Sequence, residues 1–198
     1  NENFRRLMRG EVDRATGYLR AGLPLVELMP RELAGDVWLF AHGGLAILLS
    51  VLHGVRLSGW RSLRTHGDPM LWVLHLAYAW LPLGFALKGL VLLGNAAWAQ
   101  HWQHAFGIGA IATMILAVST RTALGHTGRP LRVGRPIVVA YLLLALAGAL
   151  RVAGPVFWPD SYSGVLLATG ISWVSAFLIF IAVYGPILGR PRVDGKPG

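Results

Sequence analysis

Five stretches of this chain are each long and apolar enough to cross a bilayer as a helix, and that constrains its fold more than any other feature. They run from about Val37 to Val55, Pro69 to Leu93, Trp98 to Ser119, Pro136 to Ala153 and Ser163 to Leu188. None contains an aspartate or glutamate. A hydrocarbon core takes about 20 apolar residues of helix, and within lipid every backbone polar group needs an internal partner. Leu/Ala-rich runs of this length without period-two alternation exclude strands. The expectation is an all-α, polytopic transmembrane bundle of about five spans.

Composition supports lipid as the solvent. Of 198 residues 55% are hydrophobic and only 14% charged, with a mean hydropathy of +0.54. Soluble domains carry about 25% charged residues. The net charge of +9 could suit nucleic acid, but the arginines form no single solvated stripe. They gather between spans instead. Arg56, Arg61 and Arg64 follow the first span, Arg121, Arg129, Arg132 and Arg135 the third, and Arg190, Arg192 and Lys196 the fifth. With five spans these three regions share one side, whereas the connection at Gly94 to Ala97 is uncharged. Cytoplasmic loops carry such an excess, so a cytoplasmic C-terminus and no nucleic-acid partner are expected.

The first 36 residues differ. Their six arginines and six acids are interrupted by glycine and proline, which reads as an extracytoplasmic loop or an interfacial amphipathic segment. Residues 37–188 are read as the bundle and 189–198 as a cytoplasmic tail. The chain opens Asn-Glu-Asn, and the expectation is a fragment of a longer polypeptide. It has no cysteine, which removes disulfides, thiolate metal sites and Cys nucleophiles.

Chemistry then falls to the histidines. An ionisable group within a span is a functional candidate by default, because burying it unpartnered is costly. In LWVLHLAYAWLPLG, His75 and Tyr78 are three residues apart and share a helical face, while Trp80 points elsewhere. Pro82 kinks that helix and can open a cavity. His101 and His104 have the same spacing; such a pair can chelate a metal, and imidazole suits copper or iron. A helix-bridging hydrogen bond explains each of these histidines as well. Ala105, Gly109 and Thr113 form a small-residue stripe that permits close packing. His126 lies in GHTGR, read as a turn just past the third span, where Arg121 and Arg129 could clamp an anion or anchor lipid headgroups. His42 is read as the inward imidazole of the first span, His53 as interfacial and His66 as an exposed loop residue. Lys88 and Arg151 are expected to snorkel to the interface.

PMLWVLHLAYAWLPLG, HAFGIGAIATMILAVSTRTALGHTGR, PIVVAYLLLALAGALRV and YGPILGRPRVDGKPG resemble, in that order, the C-terminal half of the NnrS family, from about Leu57 onward. The resemblance implies a multi-pass bacterial inner (cytoplasmic) membrane protein that binds haem b and copper and acts in nitric oxide metabolism, denitrification or nitrosative stress. His75, His104 and His126 coincide with the family's motif histidines; His101 rests on spacing alone. Family members are about twice as long, and their N-terminal His-x-His-Glu-Met motif has no counterpart here, which implies a missing N-terminal half among the partners.

On this reading His75 and His104 ligate metal or haem, with His101 a further metal candidate and Tyr78 a hydrogen-bond partner behind them. Arg121, His126 and Arg129 would orient a cofactor edge. The partners are then the lipid bilayer and nitric oxide or nitrosyl-metal species; NO can reach such a site from lipid. The competing expectation is a metal-free transporter or structural subunit whose histidines bridge helices; turnover is left open. The cofactor reading requires imidazoles from separate helices to converge.

Overall fold

The computed structural model describes residues 31–195. Five long helices account for most of them: α1 (Arg31–Ser58), α2 (Pro69–Gly94), α3 (Ala97–His126), α4 (Arg135–Phe157) and α5 (Tyr162–Leu188). Each contains a stretch long and apolar enough to span a membrane, and no strand occurs among the described residues. The chain is an all-α, multi-pass bundle.

The helix ends follow from local chemistry. Asp68 caps α2 by accepting a hydrogen bond from the Met70 amide at 2.9 Å, with Pro69 in the first turn, where its missing N–H costs nothing. Asn95 ends α2 in the left-handed region (φ 47°), with its own N–H donated to the Leu90 carbonyl. That cap gives the tight turn into α3.

The spans are longer than their apolar runs. Arg31 to Asp36, within the stretch read as a loop or an interfacial amphipathic segment, belong to α1; residues 1–30 of that segment lie outside the described residues. Helix α3 reaches His126 rather than Ser119, because polar Ser119, Thr120, Arg121 and Thr122 continue the helix in its last turns. Thr120 and Thr122 satisfy their hydroxyls on the carbonyls of Leu116 and Val118, each at 2.8 Å. Within α3, Ala105–Ala112 is π-helical, a widened form rarely longer than one turn and frequent at functional sites.

Compactness divides the chain after His42. Of the first unit, the described part is the opening of α1, where His42 is exposed and donates from Nδ1 to the Trp38 carbonyl at 2.7 Å. Its neighbour in sequence reasoning, His53, is the packed imidazole instead.

The second unit, residues 43–198, is built around α4. Ile137, Ala140, Tyr141, Leu144 and Ala147 are fully buried, and α5 packs along the length of α4. At Gly109 the indole of Trp80 lies so close that a Cβ would collide with it, and at Gly148 the same ring would leave a Cβ only 3.1 Å, so α2, α3 and α4 meet there around one ring. The stripe Ala105, Gly109 and Thr113 is buried throughout, as its small side chains suggest. On α1, Gly43 packs beside Leu92 and Leu93, while Gly89 of α2 lies against Ile47.

Candidate functional site: two imidazole clusters in one bundle

The first cluster lies where α1 and α2 approach the arginine-bearing connection. His53 and Tyr78 share a short hydrogen bond, Nδ1 to Oη at 2.6 Å. The His53 ring also stacks on Phe85, nearly parallel, with centroids 5.6 Å apart. Trp60 covers the group from the connection, 4.5 Å from the Tyr78 ring and 5.4 Å from that of His75. Arg56 stands over the same indole at 5.8 Å. The His75 Nδ1 is buried and has no hydrogen-bond partner among the described residues. An unsatisfied buried polar atom carries a desolvation cost of about 1–3 kcal/mol.

Helix pairing explains this placement. Pro82 cannot donate to the Tyr78 carbonyl, which weakens α2 at that turn. Ser50 Oγ donates to the Pro82 carbonyl at 2.8 Å, tying α1 to α2 beside the proline. Gly43, Ile47, Ser50 and Gly54, spaced four, three and four apart, lie along one face of α1. His53 is the residue before Gly54 of that face, and its partner Tyr78 lies on the facing helix.

The second cluster lies toward the other end of the bundle. His101 and His104 sit at the start of α3 with ring centroids 6.1 Å apart and planes inclined by 20°. The Lys88 ammonium lies 5.1 Å from the centroid of the Trp102 ring, a cation–π contact. Arg151 of α4 donates from Nη1 to Tyr162 Oη at 3.0 Å. Beside them is a cleft of about 150 Å³ lined by Leu87, Trp98, His101, Val152 and Phe157 among others.

His75 and His104 therefore do not meet. Thirteen residues, about 20 Å of helix rise, separate His75 from Lys88, whose ammonium lies beside Trp102. A metal–nitrogen bond is about 2 Å long, so one ion cannot reach both. No group of three or more His, Cys, Asp or Glu that could hold a metal occurs among the described residues.

The aligned motifs and helices answer to a known family. Residues 6–192 match the family model described as NnrS protein. The chain belongs to the NnrS family. No curated protein and no solved structure matches it. The NnrS match begins well before Leu57, where the resemblance in sequence motifs started, and so takes in α1 as well.

In this NnrS chain the third group of candidates, Arg121, His126 and Arg129, is spread over the end of α3. Arg121 and His126 are exposed and, five residues apart, lie about 140° from one another around the helix. His126 is the last helical residue rather than part of a turn. Gly128 makes the turn, at φ +69°. The chain after α5 folds back over it: Val193 N–H donates to the Thr127 carbonyl at 3.2 Å, and Arg192 Nη1 to the His126 carbonyl at 3.0 Å. Arg192 is paired with Asp194 at 2.6 Å, which holds its guanidinium pKa above the ordinary arginine range. Arg129 is half-buried, with one Nη1 enclosed and without a hydrogen-bond partner among the described residues. No motif announced these tail contacts. His66 is exposed, as its loop position suggested.

Proposed function

We propose that this NnrS-family membrane protein binds haem b through an imidazole of one of its two clusters and acts in nitric oxide metabolism or the response to nitrosative stress. The observation that carries the reading is the buried His75 Nδ1, left without a hydrogen-bond partner beneath Trp60. Coordination would satisfy such a nitrogen, while the His53–Tyr78 hydrogen bond holds the neighbouring phenol in place behind it.

The donor set suits haem better than a bare ion. A porphyrin brings four nitrogens and asks the protein for one or two axial imidazoles. His75, His104 or His101 could each serve. When bound, the group supplies an iron centre for NO coordination and one-electron exchange. Copper is less well served: His101 and His104 give two ligands, and the remainder would come from outside the described residues. Arg121 and Arg129 remain candidates for contact with an anionic cofactor edge. The arginine-bearing end is assigned to the cytoplasm of a bacterial inner membrane, with the C-terminus on that side. Small, uncharged NO and nitrosyl-metal species are the partners in this reading, with a further N-terminal half of the polypeptide.

The His53–Tyr78 bridge favours a second reading, a metal-free transporter or structural subunit in which histidines join helices. Spectra separate the two. Purified protein should show a reduced-minus-oxidised Soret band, and His75→Ala or His104→Ala should abolish it. A colourless, metal-free, folded preparation would establish the second reading in its place. Steady-state NO consumption with an electron donor would then distinguish an enzyme from a sensor.

A further inference from the structure

Where α1 leaves its span, its last turns and the connection to α2 border an open cleft of about 550 Å³. The lining changes character with depth. Gly54 and Leu57 belong to the apolar span, which ends at Ser58, whereas Arg61, Ser62, Leu63 and Arg64 lie just beyond it. Two cations therefore line the same cleft as the last apolar turn of a membrane helix.

The two arginines start from one tight turn, closed by the Arg64 N–H donating to the Arg61 carbonyl at 2.8 Å. Both side chains are exposed, and neither guanidinium has an ion pair or hydrogen bond among the described residues. The acid of this connection, Asp68, is engaged with the Met70 amide. Between the arginines, the Ser62 hydroxyl is enclosed and has no hydrogen-bond partner among the described residues. Arg61 itself is held at φ 51°, in the left-handed region that residues with a long side chain rarely adopt. Backbone outliers of this kind gather at ligand clamps. On the membrane side, Val51 and Val55 are 56% and 66% exposed and share the helical face of Gly54 and Ser58.

We infer that this cleft seats the headgroup of an anionic phospholipid. Arg61 and Arg64 take its phosphate, Ser62 supplies a further donor, and the hydrocarbon chains run along Val51 and Val55. Guanidinium forks match phosphate oxygens, and cations next to a span meet the headgroup layer. A free anion would use the arginines but not the apolar half of the lining, and that half favours the lipid. Leu63, 92% exposed beside the arginines, is an apolar side chain suited to the same interface. The site is separate from any haem or metal and stands whether or not one is bound.

Native mass spectrometry of the full-length protein released from micelles tests this. Titration with phosphatidylglycerol is compared with phosphatidylcholine of the same chains, whose headgroup has no net charge. The first phosphatidylglycerol should bind about tenfold more tightly, the equivalent of one strong charge-assisted contact. Arg61→Asn, which keeps a residue tolerant of left-handed backbone, and Arg64→Gln should each remove most of that preference without lowering the thermal unfolding midpoint. Arg132→Gln, in the connection after α3, should leave it unchanged. Gly54 has open space where a Cβ would stand, so Gly54→Leu should fold normally and weaken binding of the lipid by filling the cleft. Excess inorganic phosphate should not displace it. Equal binding of the two lipids, an equal loss in Arg132→Gln, or full binding by folded Gly54→Leu would overturn the inference. Displacement by inorganic phosphate would also overturn it, by making the occupant a free anion.

Discussion

The two imidazole clusters are built from similar residue types and solve opposite problems. At the arginine-bearing end, His53 is held by a phenol and a phenyl ring, and its Nδ1 is satisfied at 2.6 Å. There the aromatic side chains enclose neutral polar groups, and charge stays outside, with Arg56 above the Trp60 ring. At the other end the rings of His101 and His104 stack 6.1 Å apart, Lys88 lies over the neighbouring Trp102 ring, and Arg151 is bonded to Tyr162. One region is closed by its own side chains, apart from the single open nitrogen of His75. The other offers charge and a cleft. Identical residue types thus carry different chemistry because of what α1 and α4 respectively bring to them.

Between the clusters stands Trp80, pressed against Gly109 and Gly148. If this wedge keeps the regions separate, enlarging its seat should disturb both. Gly109→Leu forces α3 away from α2, since neither the indole nor a backbone can yield without moving a helix. Overpacking of a tight core costs about 3 kcal/mol at the upper end of its usual range, the largest effect expected here. Equilibrium unfolding in mixed micelles should register that loss. Fluorescence and histidine NMR signals should shift at both His53 and His104. A shift confined to one end would break the view of Trp80 as a shared divider.

Much of this was legible from residue order. Length and apolarity alone define five spans, and the His75–Tyr78 spacing correctly separates their face from that of Trp80. Other features depend on partners that no local pattern names. His53 looked interfacial because its own helix shows only a histidine near an arginine; its meaning comes from Tyr78, 25 residues later. Lys88 has its aromatic partner in Trp102, fourteen residues on and across a turn, which no pattern within its own helix names. The sequence AFGIGAIA carries no signature of a π-helix, whose widening accompanies the packing of Gly109 on Trp80. Residues 121–129 read as one clamp in sequence because they are close along the chain. Helical phase turns His126 away from Arg121, and the returning tail bonds to the His126 and Thr127 carbonyls.

The closed character of the first cluster can be measured directly. A double-mutant cycle with Tyr78→Phe and His53→Ala should give a coupling energy of about 1 kcal/mol, since polar pairs within membranes average about 0.6 and reach about 1.7 kcal/mol. The corresponding cycle of His101→Ala with His104→Ala should give close to zero in ligand-free protein, as their rings are stacked 6.1 Å apart without a hydrogen bond between them. Equal couplings at the two ends would remove the distinction between a self-satisfied cluster and an open one.

The smallest effect concerns how α1 is held. Ser50 Oγ donates to the Pro82 carbonyl at 2.8 Å, one turn of α1 from His53. Pro82 has already deprived the Tyr78 carbonyl of its usual donor, so this turn of α2 is softer than its neighbours. Ser50→Ala leaves Pro82 its ordinary helical partner and removes only the cross-helix bond, a loss of about 0.6 kcal/mol. Stability alone would barely resolve so small a change. The sharper readout is local: amide exchange around Tyr78 should quicken and the histidine NMR signal of His53 should broaden, because the α1–α2 distance that sets the 2.6 Å bond is no longer pinned. His101 and His104 should not respond, as their rings stack on one another at the start of α3, away from the Ser50–Pro82 bond. A response at both ends would mean that α1 transmits strain through the whole bundle. Silence at both would mean that aromatic packing, with Trp60 and Phe85 on either side, holds the first cluster without help from the serine.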